Sequence, residues 1–191
     1  IKSGYYGAGE ADYAAGIYVG GRGAGSHYAL REAVVEGGVI YNLIGGPLSN
    51  ASRAGKNDVI INVKGGTMDF IFGGAGASNT VGNRILNVTG GTINYSVLAG
   101  SNAFEYSANT NNPYGKIDGD TLTYVGGSAK VGDTTGSEYN ISAGNVFGAG
   151  NGRNGELDVG SVNNSTVIIG ASADISGSVY GGGNFGAVGG N

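Results

Sequence analysis

The sequence predicts an all-β protein, and within that class a parallel β-helix (β-solenoid) of about five irregular rungs. A two-part phrase recurs along most of the chain. A short strand of β-branched residues ends at a glycine pair, and an aromatic or aliphatic strand follows that ends in Gly-Gly or Ala-Gly. Glycine accounts for 42 of the 191 residues, yet it does not occur at every third position, which excludes collagen. Strand signals alone do not fix how strands pair, so a β-sandwich is the structural alternative.

The repeat is clearest in its two central copies, residues 59–74 and 84–100, and residues 17–21 form a truncated copy. Five copies align on the last apolar residue of the first strand, at steps of 28, 25, 37 and 44 residues. The aligned residues are Val35, Val63, Val88, Val125 and Ile169. Such a repeat predicts successive turns of a three-sided coil, with loops bulging from a corner where the step is long.

Residues 1–33 are predicted to form an N-terminal arm or cap, and residues 34–191 the solenoid. Residues 26–35 begin with a serine N-cap candidate, contain good helix formers and stop at a glycine, which predicts a short capping helix. In the alternative interpretation, Val34 and Val35 already belong to the first rung.

Three polar segments interrupt the repeat, at residues 101–120, 132–140 and 150–165. In a coil such loops project from a corner, where a partner would be contacted. The alternative is that they are tolerated surface excursions.

Residues that could carry catalysis are few and scattered. The single histidine, His27, has no Gly-x-Ser-x-Gly motif to accompany it, so a Ser/His/Asp triad is not predicted. The aspartates show no recurring spacing that would gather a pair for glycoside cleavage. Two G-x-G-x-x-G matches, at residues 150–155 and 181–186, open no helix and are expected by chance in a glycine-rich chain. We therefore predict no enzymatic activity, no cofactor and no metal site.

Charge, hydropathy and cysteine content argue against several classes of partner and of structure. The net charge is −4 and no basic stripe exists, which argues against nucleic acid. No apolar run reaches 18 residues, so no membrane span is predicted. The lack of cysteine excludes a disulfide framework. The chain begins at Ile1 rather than Met, as expected of a processed mature protein or an excised fragment.

Asparagine occurs inside the strand phrases, at Asn62, Asn87 and Asn94. In a coil, equivalent side chains stack about 4.8 Å apart, and their amides can hydrogen-bond along the stack. Asn-x-Ser/Thr triplets also provide candidate glycosylation sites. These are Asn50, Asn87, Asn94, Asn140, Asn163 and Asn164.

The ends of a short coil expose unpaired backbone groups, which soluble solenoids cover with helices or charged loops. Residues 178–191 carry no charge and are predicted to leave an open end on which another copy stacks. Tyrosine is concentrated in the N-terminal arm, which could add a strand to the next subunit. The residues predicted to mediate self-assembly are Tyr5, Tyr6, Tyr13, Tyr18, Val179, Tyr180 and Phe185.

The phrase Val-x-Gly-Gly-Thr-Ile and the run at residues 175–184 resemble the glycine-rich β-helix repeats of large prokaryotic surface proteins, the adhesin-like proteins of bacteria and methanogenic archaea. The resemblance covers residues 34–186 and is also compatible with sheath-like envelope proteins. The irregular spacing after residue 100 and the small size depart from the adhesin pattern. The resemblance implies a secreted, cell-surface or extracellular location.

These observations predict a structural subunit of a self-assembling extracellular filament, sheath or surface coat, whose copies associate through exposed β-edges. The expected partners are copies of the chain itself, with glycans or the cell envelope as further candidates. The alternative function is an adhesin-type surface module that binds glycan or a host surface through its loops. A polysaccharide-active β-helix enzyme is a third hypothesis, which would require carboxylates converging on one sheet face.

Overall fold

The structure, a computed structural model, describes residues 5–6, 16–20, 30–47, 57–76, 78–103, 115–156 and 158–189. These residues form an all-β protein with a mostly parallel main sheet, and they include no helix. A helix with the length and apolar character to cross a bilayer is accordingly absent from them. The strands are β1 (Tyr5–Tyr6), β2 (Ile17–Tyr18), β3 (Arg31–Val35), β4 (Val39–Ile44), β5 (Val59–Phe72), β6 (Thr80–Val81), β7 (Arg84–Leu98), β8 (Ile117–Asp118), β9 (Thr121–Val125), β10 (Lys130–Val131), β11 (Ser137–Glu138), β12 (Ile141–Ser142), β13 (Val146–Phe147), β14 (Ser165–Ile169), β15 (Asp174–Ile175) and β16 (Val179–Tyr180).

Parallel pairing joins most of these strands into three stacks, in which each strand lies beside the equivalent strand of the next copy of the phrase. The first stack contains β3, residues 59–63 of β5, residues 84–88 of β7, β9 and β14. The second stack contains β1, residues 39–40 of β4, 67–68 of β5 and 92–93 of β7, β10 and β15. The third stack contains β2, residues 43–44 of β4, 71–72 of β5 and 97–98 of β7, β13 and β16.

The register of the first stack confirms the predicted alignment of the repeat. Val35 pairs with Val63, and Val63 pairs with Val88. Val88 in turn pairs with Val125, which pairs with Ile169. The steps of 28, 25, 37 and 44 residues are therefore the distances along the chain between paired strands.

In the first four aligned copies a glycine pair forms the bend between the first and second stacks, whereas the last copy has Gly170 followed by Ala171. Gly38, Gly66 and Gly91 have φ values of 97°, 93° and 89°, a region in which a Cβ atom is strained. β5 and β7 run through this bend, and their pairing shifts register between Val63 and Thr67. In these three copies the backbone therefore favours glycine where the first strand ends.

The main hydrophobic core lies between the three stacks. Strand side chains point alternately to opposite faces, and the inward set from every stack meets here. Fully buried members include Ile61, Leu86 and Val88 from the first stack, Met68 and Ile93 from the second, and Ile71 and Val97 from the third.

The capping helix predicted over residues 26–35 is wrong where the structure describes it, because Arg31–Val35 is strand β3. β3 pairs with residues 59–63, and Val35 is fully buried in the core. Strand pairing and burial thus override the helix propensity of Arg, Glu and Ala. The alternative, in which Val34 and Val35 belong to the first rung, matches the observed pairing. Residues 26–29 lie outside the described residues.

The insertion at residues 132–140 leads into a hairpin, β11 and β12, that packs back onto the third stack. Its turn residues Tyr139 and Asn140 have φ values of 52° and 60°, as in a type I′ turn. Tyr139 and Ile141 pack against an outer cluster on the side of the third stack away from the main core. The other members of this outer cluster are Tyr18, Ile44, Phe70, Phe72, Tyr95, Leu98 and Phe147. Most of the insertion at residues 101–120 lies outside the described residues.

Candidate self-association surface

β14, β15 and β16 are the last strands of the three stacks, and within the described residues each pairs on one side alone. β14 pairs with β9, β15 with β10 and β16 with β13. Strands β5 and β7, in contrast, pair on both sides over most of their length. A strand edge with unpaired N–H and C=O groups is a template on which another strand can add.

Apolar side chains are exposed at the same place. Six large hydrophobic residues between positions 168 and 188 are each 42–46% exposed. We call them the end surface: Ile168, Ile169, Val179, Tyr180, Phe185 and Val188. Asp174 is the one charged residue between positions 165 and 189. Natural sheet edges are usually protected by lysine, proline or inward-pointing charges, and this edge has little of that protection.

Tyr180 is the last member of a row of side chains in the third stack. Its ring stacks on that of Phe147, with centroids 4.9 Å apart and an interplanar angle of 9°. The row runs in register through Tyr18, Ile44, Phe72, Leu98, Phe147 and Tyr180. Offset stacking of this kind adds to the burial of the two rings, and the row ends at a half-exposed tyrosine.

β1, β2 and β3 are the first strands of the same stacks. Among the described residues β1 and β2 pair with β4 alone, and β3 pairs with β5 alone. Tyr5 and Tyr6 form β1, and Tyr18 is a half-buried residue of β2 in the outer cluster. Tyr13 lies outside the described residues.

The residues predicted for self-assembly therefore fall at the two ends of the stacks. Tyr5, Tyr6 and Tyr18 lie in the first strands, while Val179 and Tyr180 lie in the last. Phe185 follows β16 and bridges to Asn151 with antiparallel pairing. The prediction missed Ile168, Ile169 and Val188. The sequence carried a signal for the first two, because Ile169 aligns with the last apolar residue of the first strand in the other copies.

The asparagine stacking predicted from the strand phrases is confirmed in the first stack, where Asn87 Nδ2 donates to Asn62 Oδ1 at 2.9 Å. Asn62 Nδ2 donates in turn to Glu32 Oε1 at 2.7 Å. Asn94 Nδ2 instead donates to Asp69 Oδ1. These bonds join copies of the phrase that are far apart along the chain.

A second ladder of Asp and Asn side chains lies where the first stack begins. Asp58 Oδ1 accepts from the backbone N–H of Asn83, and Asn83 Oδ1 accepts from that of Asp120. Asp120 Oδ1 accepts from both the backbone and the side chain of Asn164. Each side chain thus satisfies a backbone donor of the next copy, which holds successive corners in line.

The candidate glycosylation sites differ in what their amides contact. Asn87, Asn94, Asn163 and Asn164 all donate hydrogen bonds through Nδ2, the atom to which a glycan would be attached. Asn140 is exposed in the hairpin turn. Asn50 lies outside the described residues.

The hairpin is tied to the start of the main sheet by a short polar contact. Tyr41 donates its hydroxyl hydrogen to Glu138 Oε1 at 2.5 Å, and Asn42 Nδ2 donates to the hydroxyl of Tyr139 at 3.3 Å. The pKa of Tyr41 lies well above its ordinary value, mainly because the hydroxyl is buried. The hydrogen bond to Glu138 and the negative charge of Glu138 raise this pKa further. Burial and the charges of Glu138 and Asp69 also raise the pKa of Tyr95.

In the part of the chain that the structure describes, no three His, Cys, Asp or Glu side chains gather as ligands for a metal ion. No protein-family model matches the chain, and comparison with curated proteins and with solved structures finds no match.

Proposed function

We propose that this chain is a structural subunit of a self-assembling extracellular filament, sheath or surface coat, whose copies join through open β-edges of a parallel β-solenoid. The observation that carries the proposal is the combination of three last strands paired on one side, β14–β16, with six half-exposed apolar side chains in and just after them. The role requires a specific contact between copies and no catalytic group.

The pairing pattern supports a solenoid over a sandwich. Sandwich sheets are built mainly from antiparallel strands, whereas every pairing within the three stacks is parallel. Strands pair with the equivalent strand of the next copy, and the three stacks enclose a common core. Successive turns of one coil would have this arrangement, which supports the proposed solenoid.

Head-to-tail stacking of copies would continue the pairing that already exists inside the chain. β15 of one copy would add to β1 of the next in the second stack, and β16 would add to β2 in the third. The first and last strands are different surfaces, so such contacts are heterologous and extend without closing, which produces filaments. Among the described residues the second and third stacks hold six strands and the first holds five. In the first stack, the join would therefore leave one strand position empty between β14 and the next copy's β3.

The energetics favour assembly that depends on concentration. Burying the exposed half of a side chain such as Val179 or Ile168 contributes about 1 kcal/mol. Several such residues and a few ladder hydrogen bonds must outweigh the loss of translational and rotational freedom, which is of the order of 4–15 kcal/mol. Assembly is therefore expected to begin only above a threshold concentration.

The extracellular part of the proposal is supported by the resemblance of the glycine-rich phrases to prokaryotic surface proteins. Sequons such as that of Asn140, on an exposed turn, are compatible with a glycosylated surface. Glycans and the cell envelope remain further proposed partners.

Negative-stain electron microscopy and light scattering at rising concentration test the proposal, using the wild-type chain and two lysine variants. Val179→Lys places a charge on the open end of the third stack and should raise the threshold for assembly at least tenfold. Leu122→Lys adds the same charge at an exposed residue of β9, which is paired on both sides, and should assemble like the wild type. Circular dichroism checks that both variants are folded. A wild-type chain that stays monomeric at high concentration would contradict the proposal and favour the adhesin-type alternative.

A further inference from the structure

Two arginines face inward at the start of the first stack, in one row of the register. Arg31 pairs with Val59, Val59 with Arg84, and Arg84 with Thr121. Arg84 has the same parity along β7 as the core residues Leu86 and Val88, and it is 0% exposed. A fully buried arginine is rare unless its charge is matched by a partner.

One end of the Arg84 guanidinium is held by the backbone. Its Nη1 donates to the carbonyl oxygens of Asn57, Gly82 and Asn83, at 3.3, 2.9 and 2.9 Å. Its Nε and Nη2 atoms are buried and have no hydrogen-bond partner among the described residues. These two nitrogens lie on the same edge of the planar group, and their parallel N–H bonds match the two oxygens of a carboxylate.

Arg31 adds a second unmatched cation. Its Nε, Nη1 and Nη2 atoms are all buried without a hydrogen-bond partner in the described part of the chain. Burial and then the positive charge of Arg31 lower the pKa of Arg84 to about 10, and the charge of Asp58 acts in the opposite direction. The ion pair found among the described residues, Arg153 with Glu156, lies elsewhere.

A water molecule could accept hydrogen bonds from these nitrogens, but it carries no charge, and the single negative charge of Asp58 does not balance two arginines. A bound anion would satisfy both the donors and the charge. We propose that Arg31 and Arg84 bind a small oxyanion of the carboxylate type, with its two oxygens on Nε and Nη2 of Arg84. The proposed occupant is a free carboxylate ion, for which formate is the simplest probe.

The test measures the melting temperature during titration with sodium formate, with sodium chloride lowered to keep ionic strength constant. Equilibrium dialysis with radiolabelled formate gives the number of ions bound. The variants are Arg84→Met and Arg31→Met, with Arg153→Met as the matched control at an exposed arginine.

The wild type is expected to bind about one formate, and its Tm should rise by about 5–10 °C when formate exceeds its Kd about a hundredfold. Arg84→Met and Arg31→Met lose most of this response, and Arg153→Met keeps it. The proposal is overturned if the wild type binds no formate, or if its Tm responds to formate no differently from that of Arg84→Met and Arg31→Met. If Arg84→Met fails to fold, two results still decide the test. They are the amount of formate that the wild type binds in dialysis and the formate response of Arg31→Met.

Discussion

The central copies of the phrase and the last copy have similar sequences but different surroundings. Val97 in β7 and Val179 in β16 occupy the same register position in the third stack, through Val146. Val97 is 0% exposed, whereas Val179 is 44% exposed. The difference arises because one side of β16 has no neighbouring strand in the described residues. Apolar side chains at the end of the stacks are thus exposed because a neighbouring strand is missing, and not because the sequence there is polar.

The largest expected difference between the two regions is in the free energy of unfolding lost when a glycine that follows a strand of the third stack is replaced by alanine. A Cβ atom on Gly148 would lie 2.3 Å from the carbonyl oxygen of Gly181, whereas one on Gly181 would meet nothing within 4 Å. Gly148→Ala should therefore lower the free energy of unfolding by about 3 kcal/mol, and Gly181→Ala should change it by less than about 1 kcal/mol. Urea denaturation of dilute monomer measures both values. Equal losses of unfolding free energy would show that Gly181 also packs against residues of its own chain, which would contradict its place at the open end.

A matched pair of valine substitutions compares the buried and the exposed position directly. Val97→Ala removes fully buried methyl groups and leaves a cavity, so we expect a loss of about 2–3 kcal/mol in unfolding free energy. Val179→Ala should lose less than about 1 kcal/mol in the monomer. Thermal and urea denaturation of the two variants provide the measurement. The comparison is wrong if Val179→Ala lowers the unfolding free energy as much as Val97→Ala does, at protein concentrations below the threshold for assembly.

Tyr41→Phe tests the polar contact that fixes the hairpin to β4. Loss of the bond to Glu138 should cost about 1–2 kcal/mol at neutral pH, while Tyr180→Phe, which keeps the ring stacked on Phe147, should change stability by less than about 0.5 kcal/mol.

The Tyr41 effect also has a defined pH dependence. The folded pKa of Tyr41 lies above the unfolded value of about 10, so its contribution is complete below pH 10 and is lost as the pH rises above that value. The difference in unfolding free energy between wild type and Tyr41→Phe should therefore shrink in alkaline buffer. A difference that grows above pH 10 would contradict the assigned direction of the shift.

The smallest expected effect concerns the asparagine stack of the central copies. Asn87→Ala removes the bond to Asn62 and should lower unfolding free energy by about 1 kcal/mol. Asn154→Ala, at an exposed turn residue, serves as the control and should stay within about 0.5 kcal/mol of wild type. A null result for Asn87→Ala would mean that water replaces the ladder bond without loss.

Much of the strand pairing could be predicted from the sequence, because the phrase couples β-branched strands to glycines that the bends require. Gly66 and Gly91 mark the same bend in neighbouring copies, so aligning them also aligned Val63 with Val88. β3 was the exception. Its residues have high helix propensity, and the partner that makes them a strand lies 28 residues further along the chain.

The candidate sites were harder to predict, since they depend on which side of a strand faces the core. Alternation along β7 places Arg84 on the same face as Leu86, but its charge suggests a solvent position. The packing of Tyr139 onto the outer cluster likewise follows from where the hairpin folds, which loop composition does not specify. Half-exposed residues such as Ile168 became visible only when the strands on each side of β14 were known.

The most direct test of the account is the axial repeat of any polymer formed by the wild-type chain, measured by fibre diffraction or cryo-electron microscopy. Six strands per chain in the second and third stacks, spaced about 4.8 Å apart, predict a rise of about 29 Å per subunit and a 4.8 Å reflection along the fibre axis. That result would establish end-to-end stacking through β15 and β16. A polymer whose strands do not stack along its axis, or a chain that remains monomeric at high concentration, would contradict it.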